Sequence, residues 1–269
     1  MNTRTLFFAL SASILLMVGC QREDRIVPDT SNPFYGIYSP SAQINEVSIS
    51  TDDGNTSLLT TQWIGRRLMS VCQTNSLTTS DTIVSQYHYD AHYRLTSVDS
   101  NIFLTYNGNG LLSSVKVILF DRTHILLFRY DGRLQPASMV DSTLFRTSSD
   151  INEWYTLSTV YNLEWDKGNL VKATPIDGNG VRYEYIYDDN HNPFCGLALP
   201  SVLEQDSLLQ YPSFISRNNI LDVIGYNPDG SINYYCHYGY ELYNTWPQTI
   251  YKSVGLTNVS PQTYNIDYL

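Results

Sequence analysis

Basic side chains are scarce in this chain. Its 269 residues carry 16 Lys and Arg against 26 Asp and Glu, a formal net charge of -10 at pH 7. Nucleic-acid binding needs positive charge concentrated on phosphates, and anionic lipid headgroups repel an acidic surface. No nucleic-acid partner is expected, and no basic patch that would hold a membrane. Cysteine is scarce too. Beyond Cys20 there are Cys72, Cys195 and Cys236, an odd number with no Cys-x-x-Cys. That spacing gives no zinc pattern. Buried free thiols are the plainer reading beside one disulfide and a spare thiol. There is no Gly-x-Ser-x-Gly elbow and no phosphate-cradling Gly loop. His88 and His92 are four apart but flank a strand end and a turn, so helical zinc geometry does not apply. Asp52-Asp53 and Asp188-Asp189 sit at turn signals, where capping explains them better than acid–base work. Asp177-Gly178-Asn179-Gly180 lacks the later ligands of a calcium loop. No catalytic residue, metal or cofactor is assigned. Charged residues are only 16% while Tyr reaches 22 copies, which argues against disorder.

Long apolar runs are also missing, save one. Leu6 to Val18 is too short for a spanning helix, which needs ~20 residues, but it suits a secretory signal with Arg4 ahead of it. The ending Met17-Val18-Gly19-Cys20 resembles a bacterial lipobox. That resemblance implies cleavage after residue 19 and acyl chains on Cys20. Several chains would anchor the protein, each buried CH₂ adding ~0.8 kcal/mol. Gln21 after the cysteine matches the outer-membrane sorting pattern of Gram-negative lipoproteins. Surface exposure is expected, with a periplasm-facing domain as the alternative. Residues 20–41 read as a tether, holding Pro28, Pro33 and Pro40 and little periodicity.

From residue 42 a single phrase recurs: aromatic, any residue, aromatic, Asp or Asn, a turn, then Leu. It stands as Tyr87-His88-Tyr89-Asp90 before Arg94-Leu95, and as Phe128-Arg129-Tyr130-Asp131 before Gly132-Arg133-Leu134. Other copies end at Tyr106-Asn107, Trp165-Asp166, Tyr187-Asp188 and Tyr226-Asn227, and Trp63 to Val71 is a degenerate first copy. Asn-Gly and Asp-Gly pairs supply the positive φ of tight hairpins. Such repeats set the architecture. The fold expected over residues 42–269 is all-β, an antiparallel meander of hairpin repeats in one large curled sheet. A partly closed barrel is one form such a sheet takes, because more than ten strands rarely stay flat and open. Leu95 and Val98 are oddly spaced for one face. Either a bulge intervenes or both faces are covered. Residues 188–221 break the rhythm as an irregular or short-helical insert, read either as a packed lid or as a functional segment.

The repeat resembles the YD repeat of Rhs-type and teneurin-like β shells. As a set, three features resemble a family of uncharacterised lipoproteins of gut Gram-negative bacteria with a porin-like β fold. They are the lipobox, Tyr187-Asp188 running into Asn192-Pro193-Phe194, and Ser216-Arg217-Asn218-Asn219 ahead of Tyr226. The resemblance implies a curved antiparallel sheet and no activity.

The expected function is a non-enzymatic, membrane-anchored structural or interaction module at the cell surface. The alternative is a glycan- or small-ligand-binding lipoprotein using tyrosine faces or the insert. Candidate stacking residues are Tyr183, Tyr185, Tyr187 and Tyr235, beside Tyr234, Tyr238 and Tyr240. The plainer reading of these tyrosines is ladders that pack the sheet.

Overall fold

Alternating segments become strands here, and the Asp and Asn turns join them. The computed structural model describes residues 42–75, 78–146, 154–197, 208–210, 212–255 and 260–269. The secretory segment 1–19, Cys20 and the tether 20–41 lie outside these residues, as does the middle of the insert. The strands are β1 (Ile44–Thr51), β2 (Thr56–Ile64), β3 (Arg67–Asn75), β4 (Thr78–Tyr89), β5 (Leu95–Val98) and β6 (Ile102–Tyr106). Next come β7 (Leu112–Ile118), β8 (Arg122–Arg129), β9 (Ser138–Arg146), β10 (Trp154–Asp166) and β11 (Asn169–Pro175). The last are β12 (Arg182–His191), β13 (Asn218–Tyr226), β14 (Ile232–Tyr243), β15 (Trp246–Gly255) and β16 (Gln262–Tyr268).

Each strand pairs antiparallel with its sequence neighbours, and β1 pairs with β16, so the meander closes into a barrel. The expectation of an all-β meander holds, and closure is complete rather than partial.

The repeat phrase builds one end of this barrel. In every copy but that of Tyr226, the second aromatic turns inward and donates a hydrogen bond to a backbone carbonyl at or near the start of the preceding odd-numbered strand. Tyr89 donates to Leu68, Tyr106 to Leu95, Tyr130 to Leu112 and Tyr187 to Leu170. Tyr240 donates to Ile220 and Tyr268 to Pro247. Indole nitrogens act alike, Trp63 Nε1 donating to Ile44 and Trp165 Nε1 to Pro136. The Asp or Asn that follows caps its turn. Asp90 Oδ1 accepts from the amides of His92 and Arg94, and Asn107 Oδ1 from those of Asn109 and Leu111.

A bulge explains the odd spacing. Tyr87 pairs with Val98 and Tyr89 with Leu95, the register shifting between them, so Thr96 is the extra residue. Leu95 and Val98 therefore both point into the core and are fully buried. The same shift lets Leu68 and Val71, Leu112 and Val115, and Ile220 and Val223 share the inner face.

One repeat copy is reassigned. Tyr226-Asn227 turns the chain at the opposite end of the barrel, and the Arg182 guanidinium stands 4.8 Å from the Tyr226 ring. The copy that completes the ring of inward aromatics is Tyr240, four residues ahead of the positive-φ Asn244.

A circular barrel of this strand number leaves an aqueous lumen. Here one end of the lumen is filled. Tyr87, Phe128, Tyr161, Tyr183 and Tyr185 project inward from the wall. From the β12–β13 connection, Leu197, Leu208, Leu209, Phe214 and Ile215 join the same buried cluster. Among the described residues, two 3₁₀ turns, Leu208–Gln210 and Pro212–Phe214, carry most of this plug. Asn192 fastens it by donating from Nδ2 to the carbonyls of Ser213 and Ser216. Tyr185 donates its hydroxyl to Leu209 O at 2.9 Å. Buried amides and carbonyls need such partners if the segment is to leave water.

Candidate functional site

The sequence-predicted tyrosines divide between the two faces of the sheet. Tyr183 and Tyr185 are 4% and 6% exposed and stack on each other inside the barrel, ring centroids 6.5 Å apart. Tyr187 is half-buried and held by Leu170 O and Ser216 Oγ. Tyr234, Tyr238 and Tyr240 face inward as well. None of these six offers a ring to a ligand outside the barrel. Tyr235 alone among the candidates faces outward. Alternation dictates the split, since neighbours along a strand point to opposite faces. Glu184 pairs with Ile224, and Tyr183 with Gly225.

The outer face of β13, β14 and β15 gathers polar and aromatic groups around Tyr235. The register aligns Asp222 with His237, and His237 with Ser253. Asp222 Oδ1 accepts from the Tyr235 hydroxyl at 2.9 Å and lies 2.8 Å from His237 Nδ1. The hydrogen bond to Asp222 holds the Tyr235 phenol above its ordinary pKa, because ionising it would set two negative oxygens together. Farther along, Tyr251 donates its hydroxyl to Glu241 Oε1 at 2.7 Å and is raised for the same reason.

Each of these two rings stands opposite a glycine. Tyr235 pairs with Gly255, and Tyr251 with Gly239. A Cβ on Gly255 would come within 2.9 Å of Tyr235 Cδ1, so the ring lies across the space that glycine leaves. Tyr251, Glu241, His237 and Asp222 were missed by sequence reasoning. The available signal was a glycine at an outward position within an aromatic strand, which often marks a close approach.

Inside, the wall grows polar toward the end opposite the plug. Ile83 and Leu157 hold inward register positions yet are 57% and 60% exposed, so the barrel is open there. Ser57, Gln73 and Asn75 form one polar group, Gln73 Nε2 donating to Ser57 Oγ at 3.2 Å. The buried His124 meets Asp141 at 2.7 Å. Lys252 faces inward between Tyr238 and Gln262, and burial lowers its pKa.

The remaining sequence candidates occupy turns and the surface. His88 is exposed on β4, and His92 lies in the turn after it. Asp53 is bound by Thr51 and Asn55 across its hairpin. Asp177 Oδ1 accepts from the Asn179 amide at 3.1 Å, closing a turn. Asp188 accepts from Asn190 and Asn219.

No family model matches this chain, and no curated protein does. Among solved structures it is similar to a porin-like protein from Bacteroides uniformis ATCC 8492. That likeness has a TM-score of 0.43 and 13% identity over 84% of this chain and 98% of the other. A porin-like protein from Bacteroides vulgatus ATCC 8482 gives 0.39 and 13% identity, over 85% of this chain and 99% of the other. A TcdB2-TccC3-TEV structure gives 0.26 and 11% identity, over 77% of this chain and 11% of its own length. Likenesses this distant carry no argument about function.

Proposed function

We propose that this chain is a lipid-anchored envelope protein whose barrel stands in water as a non-enzymatic structural or interaction module, not as a pore. One observation carries the reading: around the plug the inner face is apolar, while on the outer face polar and charged side chains recur among exposed apolar ones such as Phe103, Ile118 and Leu127. Outward positions hold Glu46, Ser48 and Ser50 on β1, Asn162 and Glu164 on β10, and Thr263, Asn265 and Asp267 on β16. The partners of these rows on the inner face are Val47, Leu163 and Ile266, all buried. A membrane-spanning barrel reverses this order, with an apolar band ~25 Å tall facing lipid and a polar lumen. Lys and Arg at mid-membrane cost ~2–4 kcal/mol each, and Asp and Glu less; Lys116 and Lys172 join the acidic residues on the outer wall.

Membrane attachment then falls to the lipobox-like Met17-Val18-Gly19-Cys20. Gln21 supports the outer membrane as the destination.

The test exchanges residues 1–20 for a cleavable secretory signal without cysteine. The barrel is expected to appear folded and detergent-free in the soluble envelope fraction, while the parent chain takes up labelled palmitate and stays membrane-bound. The parent protein is expected to give no conductance steps in planar bilayers. Detergent-dependent extraction of the exchanged chain, or stepwise conductance by the parent, would favour a pore. Protease treatment of intact cells separates surface display from a periplasm-facing domain.

A further inference from the structure

The outer face of β14 and β15 carries a feature that a purely structural barrel does not require. Tyr235 and Tyr251 both point outward on adjacent strands, each beside a strand position that bears no side chain, Gly255 and Gly239 respectively. Their hydroxyls are pinned by carboxylates of different residues, Asp222 and Glu241. Tyr251 is 44% exposed although its hydroxyl is bound. The two pairings lie four residues apart along β14, which sets the platforms ~13 Å apart. Between them sit His237 and Ser253, both exposed. With Nδ1 held by Asp222, the exposed His237 ring keeps Nε2 for a ligand.

We propose that this face binds a short neutral glycan chain, its sugar rings stacking on Tyr235 and Tyr251 and its hydroxyls bonding to the Asp222, His237, Ser253 and Glu241 groups between and beside them. A pyranose has an apolar C–H face that suits an aromatic ring, and a rim of hydroxyls that needs donors and acceptors at the ring's edge. Both are present in one row. Pinning the phenols removes rotamer freedom before the ligand arrives, and each immobilised side chain otherwise costs ~0.5–1.5 kcal/mol on binding. The charge pattern selects among glycans. Two carboxylates at the platform, on a protein of net charge -10, disfavour uronic acids and sulfated sugars. The site is independent of how the barrel is anchored, so its failure leaves the module reading intact.

The test is native affinity electrophoresis of the full lipidated protein in a polyoxyethylene detergent, which lacks competing sugar headgroups. Gels contain xylan, glucomannan, hydroxyethylcellulose or polygalacturonate. At least one of the three neutral polysaccharides is expected to retard the protein, and polygalacturonate is not. Tyr235→Ala and Tyr251→Ala each weaken retardation about tenfold, a loss of ~1.4 kcal/mol. Tyr251→Phe keeps the ring, frees it from Glu241, and weakens retardation by a smaller factor. Phe120→Ala, at an exposed tip elsewhere, leaves it unchanged. Lack of retardation in all three neutral gels overturns the proposal. So does equal retardation of the Tyr251→Ala and Tyr251→Phe variants with the parent, or stronger binding to polygalacturonate. Capture of a proline-rich peptide instead of any glycan would assign the aromatic face to a protein partner.

Discussion

Tyr89 donates its hydroxyl to the backbone carbonyl of Leu68 at 2.7 Å, across the start of one strand and the end of the next. The bond does two jobs. It satisfies a carbonyl at a bulged position where the ladder is interrupted, and it sends a phenol into the barrel where a shorter side chain would leave space. Repeated around the ring, and shared by Trp63 and Trp165, it turns a local sequence phrase into a closed end of the fold.

Removing one such bond is therefore expected to be felt globally. Tyr106→Phe keeps the ring and loses the 2.7 Å bond to Leu95 O. A lost hydrogen bond with a partly buried acceptor costs ~1–2 kcal/mol. Urea unfolding checks this through the midpoint at constant slope. An unchanged midpoint would reduce these bonds to ornaments of the packing.

The same phenols make stability depend on alkaline pH. Burial raises the pKa of Tyr89, Tyr106, Tyr130 and Tyr268 above the ordinary value of 10.0. Because the folded values are raised, the contribution is complete below pH 10.0 and is lost as pH climbs toward the folded values. In that window the unfolded chain releases protons that the folded chain keeps, so stability falls with pH. Tyrosinate absorbance should rise in two stages, the exposed phenols first and the buried ones only with loss of the β-sheet signal. A single ordinary titration that precedes unfolding would contradict the inward ring.

Much of this was legible in the residues. The hairpins, their turns and the shared face of Tyr183, Tyr185 and Tyr187 follow from period two and from Asp and Gly placement. Whether that shared face was wet or dry was not legible. It depends on closure, and closure depends on β1 meeting β16 at opposite ends of the chain, for which no local pattern exists. Arg182 and Glu184 take the outer face of β12, so the tyrosines of the alternate positions lie inside. The outer platform escaped notice for a related reason. Its residues lie on three strands, and only register brings Asp222, His237 and Ser253 into line.

One repeat copy carries a correctable strain. Where the Tyr106 copy has Gly110 at the positive-φ turn position, Tyr93 adopts φ 63°. A left-handed conformation costs a non-glycine residue ~1–2 kcal/mol. Tyr93 recovers part of that through Arg67, whose guanidinium lies 4.8 Å from its ring centroid, an exposed contact of ~0.5–1 kcal/mol. Tyr93→Gly should therefore stabilise slightly, by about 0.5 kcal/mol after glycine's extra unfolded-state entropy is counted. Pairing it with Arg67→Ala separates the two effects, since the gain should grow once the cation is gone.

Thiol reactivity should follow burial. Burial pushes the Cys195 thiol up to about 12 and raises Cys236 as well. All three described cysteines are free thiols, and Cys72 alone is half-buried rather than buried. At neutral pH an aromatic disulfide reagent is expected to modify Cys72 first and the other two only in denaturant. Prompt reaction of all three in the folded protein would contradict the burial of Cys195 and Cys236.

The plug gives the most discriminating substitution. Phe214 is 1% exposed within the cluster that fills one end of the lumen, whereas Phe120 is 95% exposed at a hairpin tip. Both changes to alanine remove the same atoms, so the difference between them isolates burial. Phe214→Ala should cost ~3–5 kcal/mol, from lost transfer energy plus the cavity left inside a wall that cannot collapse easily. Phe120→Ala should stay within ~0.5 kcal/mol. If the plug is part of the core, weakening it unfolds the barrel as a unit, and no open-channel state appears on the way. A Phe214→Ala protein that kept its stability and began to pass ions would mean that the segment is a removable gate, and the interior would then have to be read as a channel held shut.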